Sequence, residues 1–275
     1  MSVSKRLSKV FKNSKSIPFN NSSKIIIMSD CHRGDGSWGD TFSKNQNVFY
    51  AALNHYYNNG YTYIELGDGD ELWENKNPKD IINEHGEIFW LMSQFNKDHR
   101  LYLIYGNHDI CKRFFIPEGL ILCHEETRQK IFLVHGHQGD FLNDNIWKIS
   151  RFLVRYFWKP LEVWGIKDPT STAKNYIKKD TLEKEIISWV KENNQMLIAG
   201  HTHRPTFPAT NYPPYFNDGS CVHPRGITGI EISNGEISLV KWNVKVNSNG
   251  FLFVDKDILA GPNKLIDYLP LHQRI

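Results

Sequence analysis

The chain has 275 residues, 40% of them hydrophobic and 23% charged, with a formal net charge of +3. That length suits one large core or a core with a modest insertion, and the composition excludes a disordered or collagen-like chain. A net charge this small argues by itself for neither nucleic acid nor membrane, but leaves room for an anionic substrate.

Residues 1–23 form a basic segment (Lys5, Arg6, Lys9, Lys12, Lys15) without acids. Val3, Leu7, Val10 and Phe11 share one face of a short helix, either a surface-docked turn or an electrostatic tether to anionic lipid. Residues 24–275 read as one domain in which apolar runs alternate with helices. Ile25–Met28 reads as a buried strand, 44–59 as a helix stopped at Asn59-Gly60, and Tyr61–Leu66 as the next strand. A helix over 81–97 follows, then strands at Leu101–Tyr105, Ile131–Val134 and Met196–Ala199. Residues 141–194 break this rhythm as a helical insertion rich in aromatics (Trp147, Phe152, Tyr156, Trp158, Trp164, Trp189). Lys148, Arg151, Arg155 and Lys159 make a basic stripe on it at helical spacing. It reads either as a helical pair packed on the core or as a cap whose bases meet phosphates. After Pro205, Pro208, Pro213 and Pro214 the chain turns strand-like over 226–232, 237–246 and 251–254. Asn234-Gly235 and Asn249-Gly250 are hairpin signals there.

Cys31, Cys111, Cys123 and Cys221 include no C-x-x-C pair, as expected of thiols in a reducing cytosol. Cys31 falls between two candidate ligands, but strand alternation turns it away from them. No apolar run reaches membrane-spanning length and no secretory h-region is visible, so a cytoplasmic location, with contact at the membrane periphery, is expected.

Five short motifs end five of the apolar runs: Asp30-Cys31-His32, Gly67-Asp68, Gly106-Asn107-His108-Asp109, His135-Gly136-His137 and Gly200-His201-Thr202-His203. Strand ends of an α/β sheet gather in space, so dispersed motifs converge. Carboxylate, imidazole and amide oxygen suit borderline divalent metals such as Mn, Fe, Zn, Ni or Co. Two such ions a few ångströms apart form a clamp for displacement at phosphorus. His55, His85, His99 and His124, on helices or loop edges, read as surface residues.

In order and spelling these motifs resemble the calcineurin-like metallophosphoesterase family. The resemblance implies an α/β, four-layer α-β-β-α sandwich holding two divalent ions, Mn foremost. It assigns Asp30, His32 and His203 to one metal, Asn107, His135 and His201 to the other, and Asp68 as the bridge. A carboxylate bridge screens the repulsion of two dications, and the neutral Asn107 leaves positive charge to attract phosphate. The implied reaction is in-line attack of a metal-bridging hydroxide, with His108 protonating the leaving oxygen and Asp109 holding its ring. His137 either faces substrate or hydrogen-bonds within its loop. Arg225, after a turn (Asn217 to Ser220) like the family's N-x-G-S segment, and Arg151 and Arg155 are candidate phosphate contacts.

Within the family, the G-D-x-x-E-x-W spelling of Gly67 to Trp73, Ser29-Asp30-Cys31-His32 and the insertion resemble the UDP-2,3-diacylglucosamine hydrolases. Those cleave a pyrophosphate bond and hold acyl chains in the insertion. Well-studied members carry Arg at the position of His108 and H-G-D at the fourth motif, where this chain has H-G-H-Q-G-D. The substrate therefore reads as a phosphorylated small molecule or a lipid-linked compound with a phosphodiester or pyrophosphate bond. Rival readings are a nuclease, disfavoured for want of a basic run in the core, a general nucleotide phosphodiesterase, and a non-catalytic scaffold.

Overall fold

The computed structural model of the chain describes residues 2–138 and 176–269. The predicted insertion therefore falls mostly outside the described residues, which include only its last helix. Helices are α1 (Val3–Asn13), α2 (Gln46–Asn58), α3 (Pro78–Glu84), α4 (Gly86–Lys97) and α5 (Tyr176–Asn193). Strands are β1 (Lys15–Phe19), β2 (Ile25–Met28), β3 (Thr62–Leu66), β4 (Leu101–Ile104), β5 (Gly119–His124), β6 (Lys130–Val134), β7 (Met196–Ala199), β8 (Tyr215–Asn217), β9 (Ile227–Ser233), β10 (Glu236–Val246) and β11 (Leu252–Lys264). They form a sheet of order β1-β5-β6-β7-β8 and a sheet of order β11-β10-β9-β2-β3-β4.

Strand alternation divides the apolar residues into layers. Ile25 and Ile27 of β2 face Leu120, Leu122, Ile131, Leu133, Met196 and Ile198 of the other sheet in the central core. Their neighbours Ile26 and Met28 pack outward on Phe49, Leu53, Leu91 and Phe95 of α2 and α4. Ile121, Phe132, Val134 and Leu197 pack outward on Val3, Leu7 and Val10 of α1 and Ile186 and Trp189 of α5. This is the expected helix-sheet-sheet-helix sandwich, and both outer helical layers are amphipathic for that reason.

Several sequence expectations change, while the docked alternative for the basic N-terminus holds: the predicted apolar face of α1 packs on the sheet, and β1, not foreseen, pairs in parallel with β5 as an edge strand. Pro18, which obscured β1 in the sequence, is tolerated on an edge because it lacks the donor a central strand needs. The single helix expected over 81–97 is two, broken at His85. His85 is no surface residue; it is fully buried, its Nε2 2.9 Å from Asp40 Oδ2 and its Nδ1 3.2 Å from Gln46 Oε1. His124 is likewise buried, its Nδ1 accepting from the backbone of Glu126 and Thr127 in the β5–β6 turn. His55 and His99 are exposed, as expected. Both Asn-Gly hairpins form, but β11 runs ten residues beyond the predicted Val254, to Lys264.

Candidate metal centre

β2, β3 and β4 are parallel, as are β6, β7 and β8, so loops after these strands leave the sandwich at one end. There they bring Asp30, His32, Asp68, Asn107, His135, His201 and His203 together. Asp30, His32 and His203 place ligand atoms within 4.8 Å of one another, and so do Asp68, His135 and His201. Asp68 Oδ2 lies 3.1 Å from His135 Nε2 and 3.9 Å from His32 Nε2, between the two groups as a bridge requires. Asp30 Oδ1 lies 3.0 Å from His203 Nε2 and 3.6 Å from His32 Nε2.

The backbone is forced into this arrangement. Asp30, His32, Asp68, His201 and His203 all have φ between 47° and 65°, a left-handed conformation that costs a side-chain-bearing residue about 1 kcal/mol or more. Cross-loop bonds hold it: Asp30 N–H donates to Gly67 O (3.1 Å), His32 N–H to Asp68 O (2.9 Å) and His201 N–H to Asp30 Oδ2 (2.8 Å). Gly106 is required by closeness, since a Cβ there would overlap the Asp68 carboxylate. Asn217 of the N-D-G-S turn donates through Nδ2 to Gly200 O at 2.7 Å and so props the His201 loop.

The donor set fits divalent metal. Among the described residues His32 Nε2, His135 Nε2 and Asn107 Oδ1 are buried without a hydrogen-bond partner. Buried polar groups are rarely left so, and oxygens of both Asp30 and Asp68 lie within 4.0 Å of each of the two imidazole nitrogens. Their other ring nitrogens are committed: His135 Nδ1 donates to Leu66 O at 2.8 Å and His32 Nδ1 to Glu71 Oε2 at 2.9 Å. That fixes the tautomer with Nε2 free to ligate.

Charge in the site is coupled. Burial pushes the Asp30 carboxyl up, but His203, His135 and His32 prevail and hold it well below the usual carboxylate range. Asp68 is lowered against burial by His135 and His108. Burial opposes protonation of His135, yet Asp68 and Asp30 raise it to about 9. A cationic partner is what these carboxylates demand, and divalent ions would replace the imidazolium protons in that role.

His108 is placed differently from expectation. Its backbone N–H donates to Asp68 Oδ1 (2.7 Å) and its Nδ1 to Glu71 Oε1 (2.8 Å), while Trp73 stacks on the ring at 4.4 Å. Asp109 does not hold this ring. Its carboxylate accepts from Gly106 N–H (2.7 Å) and Lys112 Nζ (3.1 Å), because the turn at Ile110–Phe114 directs it back under its own loop. Glu71 is thus the functional residue that sequence reasoning missed, although it stands in the G-D-x-x-E spelling. Behind it Arg33, fully buried, pairs with Glu65 and Asp70 (both 2.7 Å), and Asp70 also takes Lys112 Nζ at 2.7 Å. Three ligand loops are tied by these charges.

His137 is fully buried beside the centre, its ring 5.5 Å from His135 and 6.2 Å from Tyr105. Among the described residues neither ring nitrogen has a hydrogen-bond partner; Gln138 Oε1 accepts from Gly136 N–H in this loop. Burial, with His135 and His201 beside it, keeps this ring neutral. Arg225 is exposed on the loop from β8 to β9, at the same end of the sandwich. Arg151 and Arg155 lie outside the described residues. Cys31 is buried against the α2 layer, away from the ligands, as alternation predicts.

A four-layer sandwich with carboxylate and imidazole groups gathered at its strand ends has the architecture of a phosphoesterase. The profile of the calcineurin-like phosphoesterase family matches residues 23–205, and the chain belongs to that family. Among solved structures, the crystal structure of Chaetomium thermophilum Vps29 is similar at 12% identity and a TM-score of 0.43, over 87% of this chain and 96% of that one. Its complex with the RaPID-derived cyclic peptide RT-D3 is similar at 12% identity and a TM-score of 0.38, over 86% of this chain and 96% of that one. No curated protein matches. Among the described residues no helix is long and apolar enough to cross a membrane.

Proposed function

We propose that the chain is a metal-dependent phosphohydrolase that cleaves a phosphodiester or pyrophosphate bond. The observation that carries this reading is the pair of ligand groups (Asp30, His32, His203 and Asp68, His135, His201), beside which His32 Nε2, His135 Nε2 and Asn107 Oδ1 are buried with no hydrogen-bond partner among the described residues. Asp30, His32 and His203 would hold one ion, Asn107, His135 and His201 the second, and Asp68 both. Such a pair activates water and neutralises phosphoryl oxygens when bound.

The remaining work falls to this chain's own side chains. Against burial, Glu71 and Asp68 raise the pKa of His108, which favours the protonated ring that would give its Nε2 proton to the leaving oxygen. Trp73 and Glu71 fix that ring in one orientation. Neutral His137, beside the second ligand group, is a candidate hydrogen-bond donor to a phosphoryl oxygen. Arg225, at the same end, is a candidate contact for a more distant phosphate. Within this class, the G-D-x-x-E-x-W spelling of Gly67 to Trp73 is the feature that supports a nucleotide-linked lipid such as UDP-2,3-diacylglucosamine.

The test compares bis-p-nitrophenyl phosphate, p-nitrophenyl phosphate and UDP-2,3-diacylglucosamine, with Mn added and with chelator. Mn-dependent hydrolysis that chelator abolishes is expected, with the diester or the pyrophosphate preferred over the monoester. Release of UMP from the last substrate would assign the lipid pyrophosphatase branch. Tight Mn binding with no turnover of any substrate would overturn the reading.

A further inference from the structure

Seven of the large apolar side chains exposed among the described residues lie toward one end of the molecule: Trp38, Phe114, Phe115, Val244, Val246, Phe251 and Leu252. The β2, β3, β4, β6, β7 and β8 carboxyl ends define the end that carries the site. Trp38, in the loop after β2, is 87% exposed, and Phe114 and Phe115, in the loop after β4, are 76% and 89% exposed. The β10–β11 hairpin points the same way. Trp242 pairs with Ile227, and Ile230 with Ile27, so by register Trp242 stands level with Asp30. Val246, four residues further along β10, therefore projects roughly 13 Å beyond that level. Val244, Val246 and Leu252 share the apolar face of this arm, and Phe251 (68% exposed) and Leu252 (72% exposed) lie at its tip.

Bases outnumber acids among the exposed charges at this end. Among the described residues of the loops that leave the sheets here, and of the hairpin turn, the exposed charged side chains are Lys44, Lys76, Arg113, Arg204 and Arg225; Arg204 pairs with Glu183 (3.5 Å) and Asp180 (4.0 Å), and the exposed Glu84 of α3 lies against Gly36. The acids on the same loops are buried or, for Asp35, Glu74 and Glu118, only partly exposed. Arg113 also lies over the Phe114 ring at 4.8 Å. Exposed Trp and Phe among cations, on separate projecting loops, suit the interface of a lipid bilayer, where rings and aliphatic tips enter the headgroup region and bases meet anionic lipid. A protein partner would be met by a contiguous patch or groove, and stacked nucleobases would not reward Val244, Val246 and Leu252.

We infer that the site-bearing end of the molecule docks on an anionic lipid bilayer through Trp38, Phe114, Phe115 and the tip of the β10–β11 arm. The inference stands apart from any reaction, but its consequence is that the centre would face the headgroups of amphiphiles in the bilayer.

The test is flotation of the full chain with phosphatidylcholine vesicles and with vesicles rich in phosphatidylglycerol, at low and high salt. The triple variant W38S/F114S/F115S and the double variant F251S/L252S are compared, with thermal melting confirming that each is folded. Binding to the phosphatidylglycerol vesicles, weakened by salt and reduced by ~10-fold or more in the triple variant, is expected. The double variant should show a smaller loss. No flotation with anionic vesicles, or equal flotation of parent and both variants, would overturn the inference. So would light scattering that showed a dimer turned into a monomer by these substitutions, which would make this end an interface between two copies.

Discussion

Glu71 lies between two histidines with different tasks, accepting from His108 Nδ1 at 2.8 Å and from His32 Nδ1 at 2.9 Å. One carboxylate thereby orients a candidate metal ligand and a candidate general acid. Burial pushes the Glu71 carboxyl up, yet His108 and His32 bring it down to about 2, so it is ionised at neutral pH.

Replacing Glu71 separates its two tasks. His108 has a raised pKa, so its protonated form persists through the ordinary histidine range and is lost only as pH rises through the folded value. The alkaline limb of a kcat profile should lie above the ordinary histidine pKa. Glu71→Gln should move that limb to lower pH and also weaken metal binding at the Asp30, His32 and His203 group. A pH-rate profile at saturating Mn checks the first effect, and Mn titration by calorimetry the second. An unmoved limb would remove His108 from the acid role.

His108→Ala should keep both metals and lower kcat by ~10²–10⁴-fold, most for poor leaving groups. Asp68→Ala and His135→Ala should instead lose metal and turnover together, since each removes a ligand with no substitute nearby. Metal content after dialysis, measured beside turnover of two aryl diesters of different leaving-group pKa, distinguishes the two behaviours.

Much of this site is legible in the sequence because metal ligation is chemically narrow. Asp30, His32, Asp68, Asn107, His135, His201 and His203 announce themselves by side-chain type, by neighbouring glycines and by the apolar runs before them. What carries a ligand's orientation is less local. Asp109 follows His108 in the chain and seemed its partner, but the turn after it sends that carboxylate to Gly106 and Lys112. Glu71 reaches His108 only because β3 and β4 are adjacent in one sheet. His85 looks like a helix-surface residue until the chain breaks there and buries it. The edge strand β1 was hidden by Pro18 and by its shortness.

Arg33, Asp70 and Lys112 give a test of how the ligand loops are held. Asp70 is lowered against burial by Arg33 and Lys112 and joins the first, second and third ligand loops. Asp70→Asn leaves the buried Arg33 and the half-buried Lys112 short of a counter-charge and should cost about 3 kcal/mol of stability, as breaking buried ion pairs does. Denaturant unfolding measures that loss. Arg33→Met alone should also destabilise, while the double variant Arg33→Met, Asp70→Leu should recover part of the loss. If the double variant is as poor as the sum of the singles, the pair is not coupled.

Asp40 provides a pH-dependent term outside the candidate ligand set. Burial raises its carboxyl, but His85 and the backbone N–H of Gly36 lower it below the ordinary value, and Phe42 and Ser43 donate to its other oxygen. A carboxyl with a depressed folded pKa adds stability that is fully present above its unfolded pKa, near 4, and is lost as pH falls through the folded value. Asp40→Asn should therefore unfold at a lower temperature than the parent at neutral pH. The gap in Tm should close on acidification below the ordinary carboxylate range, where the parent's Asp40 is itself neutral. Melting curves from neutral pH to pH ~2 check this. A gap that stays constant across that range would show that Asp40 acts through packing and neutral hydrogen bonds, with its charge against His85 contributing nothing.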